Sequence, residues 1–171
     1  MTLKFCRKEL KVTINFISTP VKYAKLPHYA APEENLRYAT PGAACFDICA
    51  AIAAPVTLKP GEHRAIPTGI MTAPEEGVWF RVNSRSGMAI RHGIITIAGI
   101  IDTDYRGEWM IGLLNTNPES SGLDYTIRPG DKIAQVEVPF PYRAEFEEIS
   151  AEEFAALKTE RGEKGFGSTG R

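Results

Sequence analysis

Fifteen glycines and twelve prolines are spread along the 171 residues, and this punctuation decides what the chain can build. Proline inside a helix removes a hydrogen bond and clashes with the preceding turn, and glycine costs backbone entropy there, so few stretches are left for a helix of ordinary length. Short strands joined by tight turns are favoured instead. Apolar positions alternate in Val12–Ile14–Phe16 and in Val78–Phe80–Val82, the period of a strand with one buried face. Trp109 to Leu114 and Ile133 to Val138 are apolar enough to be strands covered on both faces. Turn signals bound these runs at Lys59-Pro60-Gly61, Pro74-Glu75-Glu76-Gly77, Tyr105-Arg106-Gly107 and Arg128-Pro129-Gly130-Asp131. One helix is predicted, near residues 151–158, where Ser150 can cap the amide of Glu153 and Glu153 can reach back before Phe154, Ala155, Ala156 and Leu157. The expectation is an all-β fold, a sandwich, jelly roll or small barrel with a token helix.

A chain of this length with 43% hydrophobic residues fills one core. Lys plus Arg (20) nearly cancels Asp plus Glu (21), so no global charge draws it to nucleic acid or to an anionic membrane. An anionic ligand must therefore be held by a local site. The longest apolar runs, Ile48 to Val56 and Ile94 to Ile101, fall short of the roughly 18 residues that span a bilayer. Charged residues interrupt the basic start where a signal peptide needs an apolar stretch. Cys6, Cys45 and Cys49 cannot all pair within one chain, and an odd count suits reduced thiols. A cytoplasmic location is expected.

Three segments carry chemistry. The tail Gly165-Phe166-Gly167-Ser168-Thr169-Gly170, flanked by Arg161 and Arg171, combines an aromatic plate, accessible amides, two hydroxyls and forked cations, a set that suits a base with phosphates. It lacks the lysine of a Walker A loop, and a solvated Gly-rich tail is the plain alternative. Arg85-Ser86-Gly87-Met88-Ala89 offers guanidinium, hydroxyl and glycine amide within three residues, though a surface turn would look the same. Residues 99–107, Gly-Ile-Ile-Asp-Thr-Asp-Tyr-Arg-Gly, set two carboxylates and a tyrosine at a hairpin end. A carboxylate there can take a proton from an attacking water, or Asp102 and Asp104 can simply shape the turn.

Ala44-Cys45-Phe46-Asp47-Ile48, Arg85 to Ala89, Gly99 to Gly107, Gly130-Asp131-Lys132-Ile133-Ala134-Gln135 and Arg161 to Gly170 together resemble the five motifs of the trimeric dUTPase family, in order. The resemblance implies a distorted jelly roll over residues 1–160, of which 1–20 fall partly outside it, and a C-terminal arm over 161–171 that is exchanged within a homotrimer. It implies hydrolysis of dUTP to dUMP and pyrophosphate with Mg2+, limiting uracil incorporation into DNA and supplying dUMP. It also implies roles. Asp47 would hold magnesium through water; Arg85, Ser86, Gly87 and Gln135 would contact the triphosphate; and Asp102 would deprotonate the water that attacks the α-phosphorus. Tyr105 would stack on the deoxyribose, the backbone around Gly99, Ile101 and Met110 would pair with uracil, and Arg161, Phe166, Gly167, Ser168 and Thr169 would close the site. In the family one chain supplies the first, second and fourth motifs, a neighbour the third, and the remaining chain the arm.

Three residues depart from the family pattern: Cys45 and Lys164 stand where glycine is usual, and Ser84 replaces a proline. A thiolate–carboxylate metal site from Cys45, Asp47 and Cys49 lacks a fourth ligand, and His28, His63 and His92 are isolated from one another in sequence. The dCTP deaminases are a rival within the same fold, opposed by the third motif and the arm. A catalytically silent nucleotide-binding module, or a plain structural jelly roll, would have no use for Asp102.

Overall fold

The computed structural model describes residues 18–27, 35–139 and 150–157. The chain separates into two compact units, Met1–Pro141 and Tyr142–Arg171. In the first, the strands are β1 Val21–Lys25, β2 Arg37–Tyr38, β3 Phe46–Cys49, β4 Val56–Leu58, β5 His63–Pro67, β6 Ile70–Pro74, β7 Phe80–Asn83, β8 Ile94–Ile97, β9 Ile100–Ile101, β10 Met110–Asn115, β11 Tyr125–Ile127 and β12 Lys132–Glu137. They form four antiparallel sheets, β1-β6, β5-β10-β8, β11-β4 and β2-β3-β12-β7-β9. Strands distant in sequence lie side by side, as a jelly roll requires. No helix among the described residues is long and apolar enough to cross a membrane.

The predicted turns close where the Pro-Gly signals stand. The Glu62 amide donates to the Lys59 carbonyl at 2.9 Å, Val78 to Glu75 at 3.2 Å and Asp131 to Arg128 at 3.1 Å. The Asp131 carboxylate also accepts the Arg128 amide at 2.7 Å. Near Tyr105 the bond runs from the Tyr105 amide to the Asp102 carbonyl at 3.1 Å, so the turn is residues 102–105, earlier than the Gly107 signal suggests. Its donors and acceptors are met by the acidic residues' own backbone.

Alternation reads out as burial in β7 and just ahead of it: Val78, Phe80 and Val82 are all buried and Arg81 is exposed. Phe80 sits at the centre of an aromatic chain, its ring 6.4 Å from Phe46 at an interplanar 84° and 4.8 Å from Trp109, both within the favourable range for aromatic pairs. Trp109 is fully buried, and its indole N–H donates to Thr72 Oγ1 at 3.2 Å. Buried Asn115 has every polar atom engaged: Nδ2 donates to the carbonyls of Leu58 and Leu123, and Oδ1 accepts from Asn117. That full satisfaction lets a polar side chain stand in the core.

Two expectations need correction. Among the described residues β10 is not fully covered on both faces: Ile111, Leu113 and Asn115 are buried, but on the other face Met110 is 42% exposed and Gly112 and Leu114 are only half-buried. The structure also holds an α-helix that its sequence did not announce, α1 Ser86–His92. It has no side-chain N-cap and fewer than two turns, too little for a periodic signal. Buried Met88 pins it, and Gly93, in the left-handed region at φ 67°, ends it by donating to the carbonyls of Ala89 and Met88.

In the second unit, the predicted capping box is present ahead of α2 Ala151–Ala156. The Glu153 amide donates to Ser150 Oγ at 3.1 Å and the Ser150 amide to Glu153 Oε2 at 2.9 Å. The Ser150 amide, and after it the Ser150 hydroxyl, hold the exposed Glu153 carboxyl below its usual range. The strand expected at Val12–Ile14–Phe16 and the arm with Arg161, Phe166, Gly167, Ser168 and Thr169 lie outside the described residues.

Candidate functional site

Three segments far apart in sequence meet at Asp47. β12 lies between β3 and β7, and Gln135 is opposite Asp47 on one side and Asn83 on the other. Asp47 Oδ1 is 3.3 Å from Arg85 Nε, and Oδ2 accepts from Lys132 Nζ at 2.9 Å. Arg85 Nη1 donates in turn to the Lys132 carbonyl at 3.0 Å. Gln135 Nε2 donates to the Ser84 carbonyl, also at 3.0 Å. The carboxylate is largely enclosed, its side chain 15% exposed, whereas Arg85 and Lys132 keep about a third of theirs in solvent at 36% and 35%. A guanidinium and an ammonium group held half-open by one carboxylate form a preorganised cationic ledge.

A bulge makes this arrangement possible. The β3–β12 register steps from Cys49↔Lys132 to Ile48↔Ala134 and Asp47↔Gln135, with one extra residue between. Residues three apart on a regular strand face opposite ways. Here Lys132 and Gln135 both come to the Asp47 face while Ile133, Ala134 and Val136 are buried. Lys132 had no predicted role, and its place in the Gly-Asp-Lys-Ile-Ala-Gln run was the available signal. A bulge, however, is invisible to a period-two reading.

Ser86 and Gly87 follow Arg85 into the first turn of α1 and are both exposed. A side chain at Gly87 would meet nothing within 4 Å among the described residues, so packing there does not require the glycine. Gly99 differs. A Cβ there would stand 2.8 Å from the Val82 carbonyl oxygen, and the Gly99 carbonyl accepts the Val82 amide at 2.7 Å. Its glycine has a structural cause, close approach of β7.

Asp102 is exposed at the start of its turn, with Ile101 half-buried before it. Tyr105 is 42% exposed, and its hydroxyl donates to the Glu108 carbonyl at 3.0 Å. A side chain at Gly107 would run into the hydroxyl end of the Tyr105 ring, so the ring reaches back over its own turn while much of it stays exposed. Trp109 and Thr68 secure the base of the hairpin, the Thr68 hydroxyl donating to the Trp109 carbonyl at 2.8 Å.

Asp102 does not join the Asp47 ledge within one chain. β9 pairs with β7 so that Ile101 is opposite Phe80 and Ile100 opposite Arg81, which sets Asp102 across from Trp79, six residues before Arg85. Asp47 is level with Asn83, at the other end of β7, and β3 lies three strands from β9, which at ~3.3 Å per residue and ~4.8 Å per strand keeps the two carboxylates well beyond hydrogen-bond reach of a shared water.

The donor set at the ledge fits magnesium in one manner. Among the described residues no group of three or more His, Cys, Asp or Glu gathers to hold a metal, and both Asp47 oxygens already face cations. A hard, strongly hydrated ion would take most of its ligands from phosphate and water, with Asp47 reaching it through water. Cys45 is a free, half-buried thiol. Burial, then the Glu137 and Asp47 carboxylates, push the Cys45 thiol upward, which disfavours a thiolate ligand.

The dUTPase family model matches residues 32–170. The deoxyuridine 5'-triphosphate nucleotidohydrolase of Rickettsia felis is 42% identical over 158 residues, covering 89% of this chain and 97% of that protein. Among solved structures, the Staphylococcus bacteriophage 80alpha dUTPase with dUpNHpp superposes with a TM-score of 0.73 at 25% identity, covering 90% of this chain and all of that one. A point variant of the dUTPase from phage phi11 of S. aureus, described with a structural Mg(II) ion, superposes at 0.66 with 23% identity over 79% of this chain and 99% of its own, a likeness of fold.

Proposed function

The chain belongs to the dUTPase family, and on that footing we propose that it hydrolyses dUTP to dUMP and pyrophosphate by in-line attack of water on the α-phosphorus, in a site built from more than one copy of the polypeptide. The observation that carries this reading is the pairing of a cationic ledge at Asp47, Arg85 and Lys132 with a carboxylate, Asp102, that follows β9, three strands away from β3 at the other end of the same sheet. A base must lie within hydrogen-bond reach of the water it activates. A second copy supplying Asp102 meets that requirement, and a homotrimer closes the arrangement with equivalent sites.

In this reading Arg85, Ser86, Gly87 and Gln135 bind the triphosphate oxygens. The open side of Gly87 gives the closest approach, and Arg85 offers the donors not spent on Asp47 and Lys132. Asp47 would hold magnesium through water, and the ion would supply charge neutralisation on the triphosphate oxygens. Asp102 takes the proton from the attacking water. Charge developing on pyrophosphate is met by Arg85 and by Arg161, the preorganised electrostatics on which phosphoryl transfer depends. Gly99, Ile101 and Met110 present backbone to the uracil edge, and Phe166 with Gly167, Ser168 and Thr169 covers the nucleotide as part of an arm from residue 161. A cytoplasmic location agrees with its thiols.

The exposed ring of Tyr105, fixed by its bond to Glu108, serves as the wall that leaves no room for a ribose hydroxyl. Tyr105→Ala is expected to raise activity on UTP relative to dUTP about tenfold, since a close-packed steric exclusion is worth ~1–3 kcal/mol. An unchanged ratio removes Tyr105 from sugar selection. The function as a whole is tested by incubating the protein with each deoxynucleoside triphosphate and magnesium, measuring pyrophosphate and ammonia, and determining the mass in solution. Pyrophosphate from dUTP alone and a mass of three chains are expected. Ammonia from dCTP, or full activity in a monomer, overturns the reading.

A further inference from the structure

We propose that Ser84 is a positioning residue, fastening the phosphate-binding turn Arg85-Ser86-Gly87 to the edge of strand β8. The inference rests on the reading of Arg85 as a triphosphate ligand and adds a residue to it. β8 is the outer strand of β5-β10-β8 and, among the described residues, forms a ladder with β10 alone, where Thr96 is opposite Leu113. Its other edge faces the end of β7. There the Thr96 amide donates to Ser84 Oγ at 2.9 Å, and the two hydroxyls lie 3.1 Å apart. The Ser84 carbonyl meanwhile accepts Gln135 Nε2 at 3.0 Å. This one half-buried serine, the residue before Arg85, thus joins β8 to β12, bridging two sheets that share no ladder.

The two sides of this joint are unequal. Thr96 is fixed by the run of pairs from Ile94 to Ile97 against β10, while Ser84 and Arg85 lie past the last ladder residue of β7. Breaking the bond therefore leaves β8 in place and frees the turn. It also strands an edge amide, which favours displacement of the turn so that water can reach it. The guanidinium would then no longer meet Asp47 Oδ1 and the Lys132 carbonyl together. Triphosphate binding depends on that pose, and nucleoside binding on the hairpin does not.

The test compares wild type, Ser84→Ala and Ser84→Thr in the full chain with magnesium, measuring KM and kcat for dUTP and calorimetric affinities for dUMP and a non-hydrolysable dUTP analogue. Wild-type activity on dUTP establishes the underlying reading separately, before any variant is considered. Ser84→Ala is expected to raise KM and to weaken the triphosphate analogue about tenfold while shifting dUMP less than about twofold, and Ser84→Thr to return both to near the wild-type values. Equal weakening of dUMP and the analogue, no weakening of either, or a threonine variant no better than alanine overturns the proposal. Should Ser84→Ala not fold, Ser84→Cys, which keeps the volume but offers only a weakly accepting sulfur, takes its place with the same expected and overturning results.

Discussion

Replacing Asp102 with Asn is expected to lower kcat on dUTP at least about a hundredfold, equivalent to ~2.7 kcal/mol of barrier, the usual worth of a positioned base. The substitution is close to a pure removal of basicity. Asp102 is exposed, and its turn is closed by its backbone carbonyl, which accepts the Tyr105 amide. Asn keeps the size and turn preference of Asp. The thermal midpoint should therefore stay where it is while single-turnover hydrolysis at saturating dUTP slows. A near-normal rate in that assay would show that another group takes the proton.

Trp109→Ala should cost about 3–5 kcal/mol of folding stability, the range for deleting a large buried aromatic. Trp109 is fully enclosed, lies 4.8 Å from the Phe80 ring and gives its indole N–H to Thr72. Truncation would open a cavity beside Phe80 and leave the Thr72 hydroxyl short of a donor in the core. Urea unfolding at a fixed protomer concentration is the measurement, since assembly adds a concentration-dependent contribution. A loss below about 1 kcal/mol would mean that the neighbouring side chains collapse into the space. Because Trp109 lies four residues after Tyr105 and anchors that hairpin through its bond from Thr68, weaker nucleotide binding is expected alongside, and the urea midpoint separates the two effects.

Much of the architecture was legible because its signals are local. Pro-Gly turns at residues 60–61 and 129–130 need no tertiary contact to be recognised, nor does the Ser150–Glu153 box, and the Val78–Phe80–Val82 alternation maps directly onto burial. The candidate site residues Asp47, Arg85 and Gln135 were legible through motif resemblance, and the fold brings them together. Helix α1 was not legible. Its start has no cap and its one buried anchor, Met88, gives no period. Lys132 was missed for a different reason: its direction depends on an irregular register with β3, whose Asp47 is 85 residues away in sequence, and no local window on the chain contains that information. Ser84 was noted only as a departure, since the partner that explains it, the Thr96 amide, is an edge group whose need for an acceptor arises from the sheet.

The extra residue in β12 also bears on how this enzyme can change over evolutionary time. On an ordinary strand, loss or gain of a single codon turns every side chain beyond it to the opposite face. Between Lys132 and Gln135 the extra residue absorbs a loss: without it the pair would stand two apart on a regular strand and still share one face. A deletion at this point would therefore straighten β12 while keeping both side chains beside Asp47, whereas the same event elsewhere in the strand would send its polar groups toward the interior.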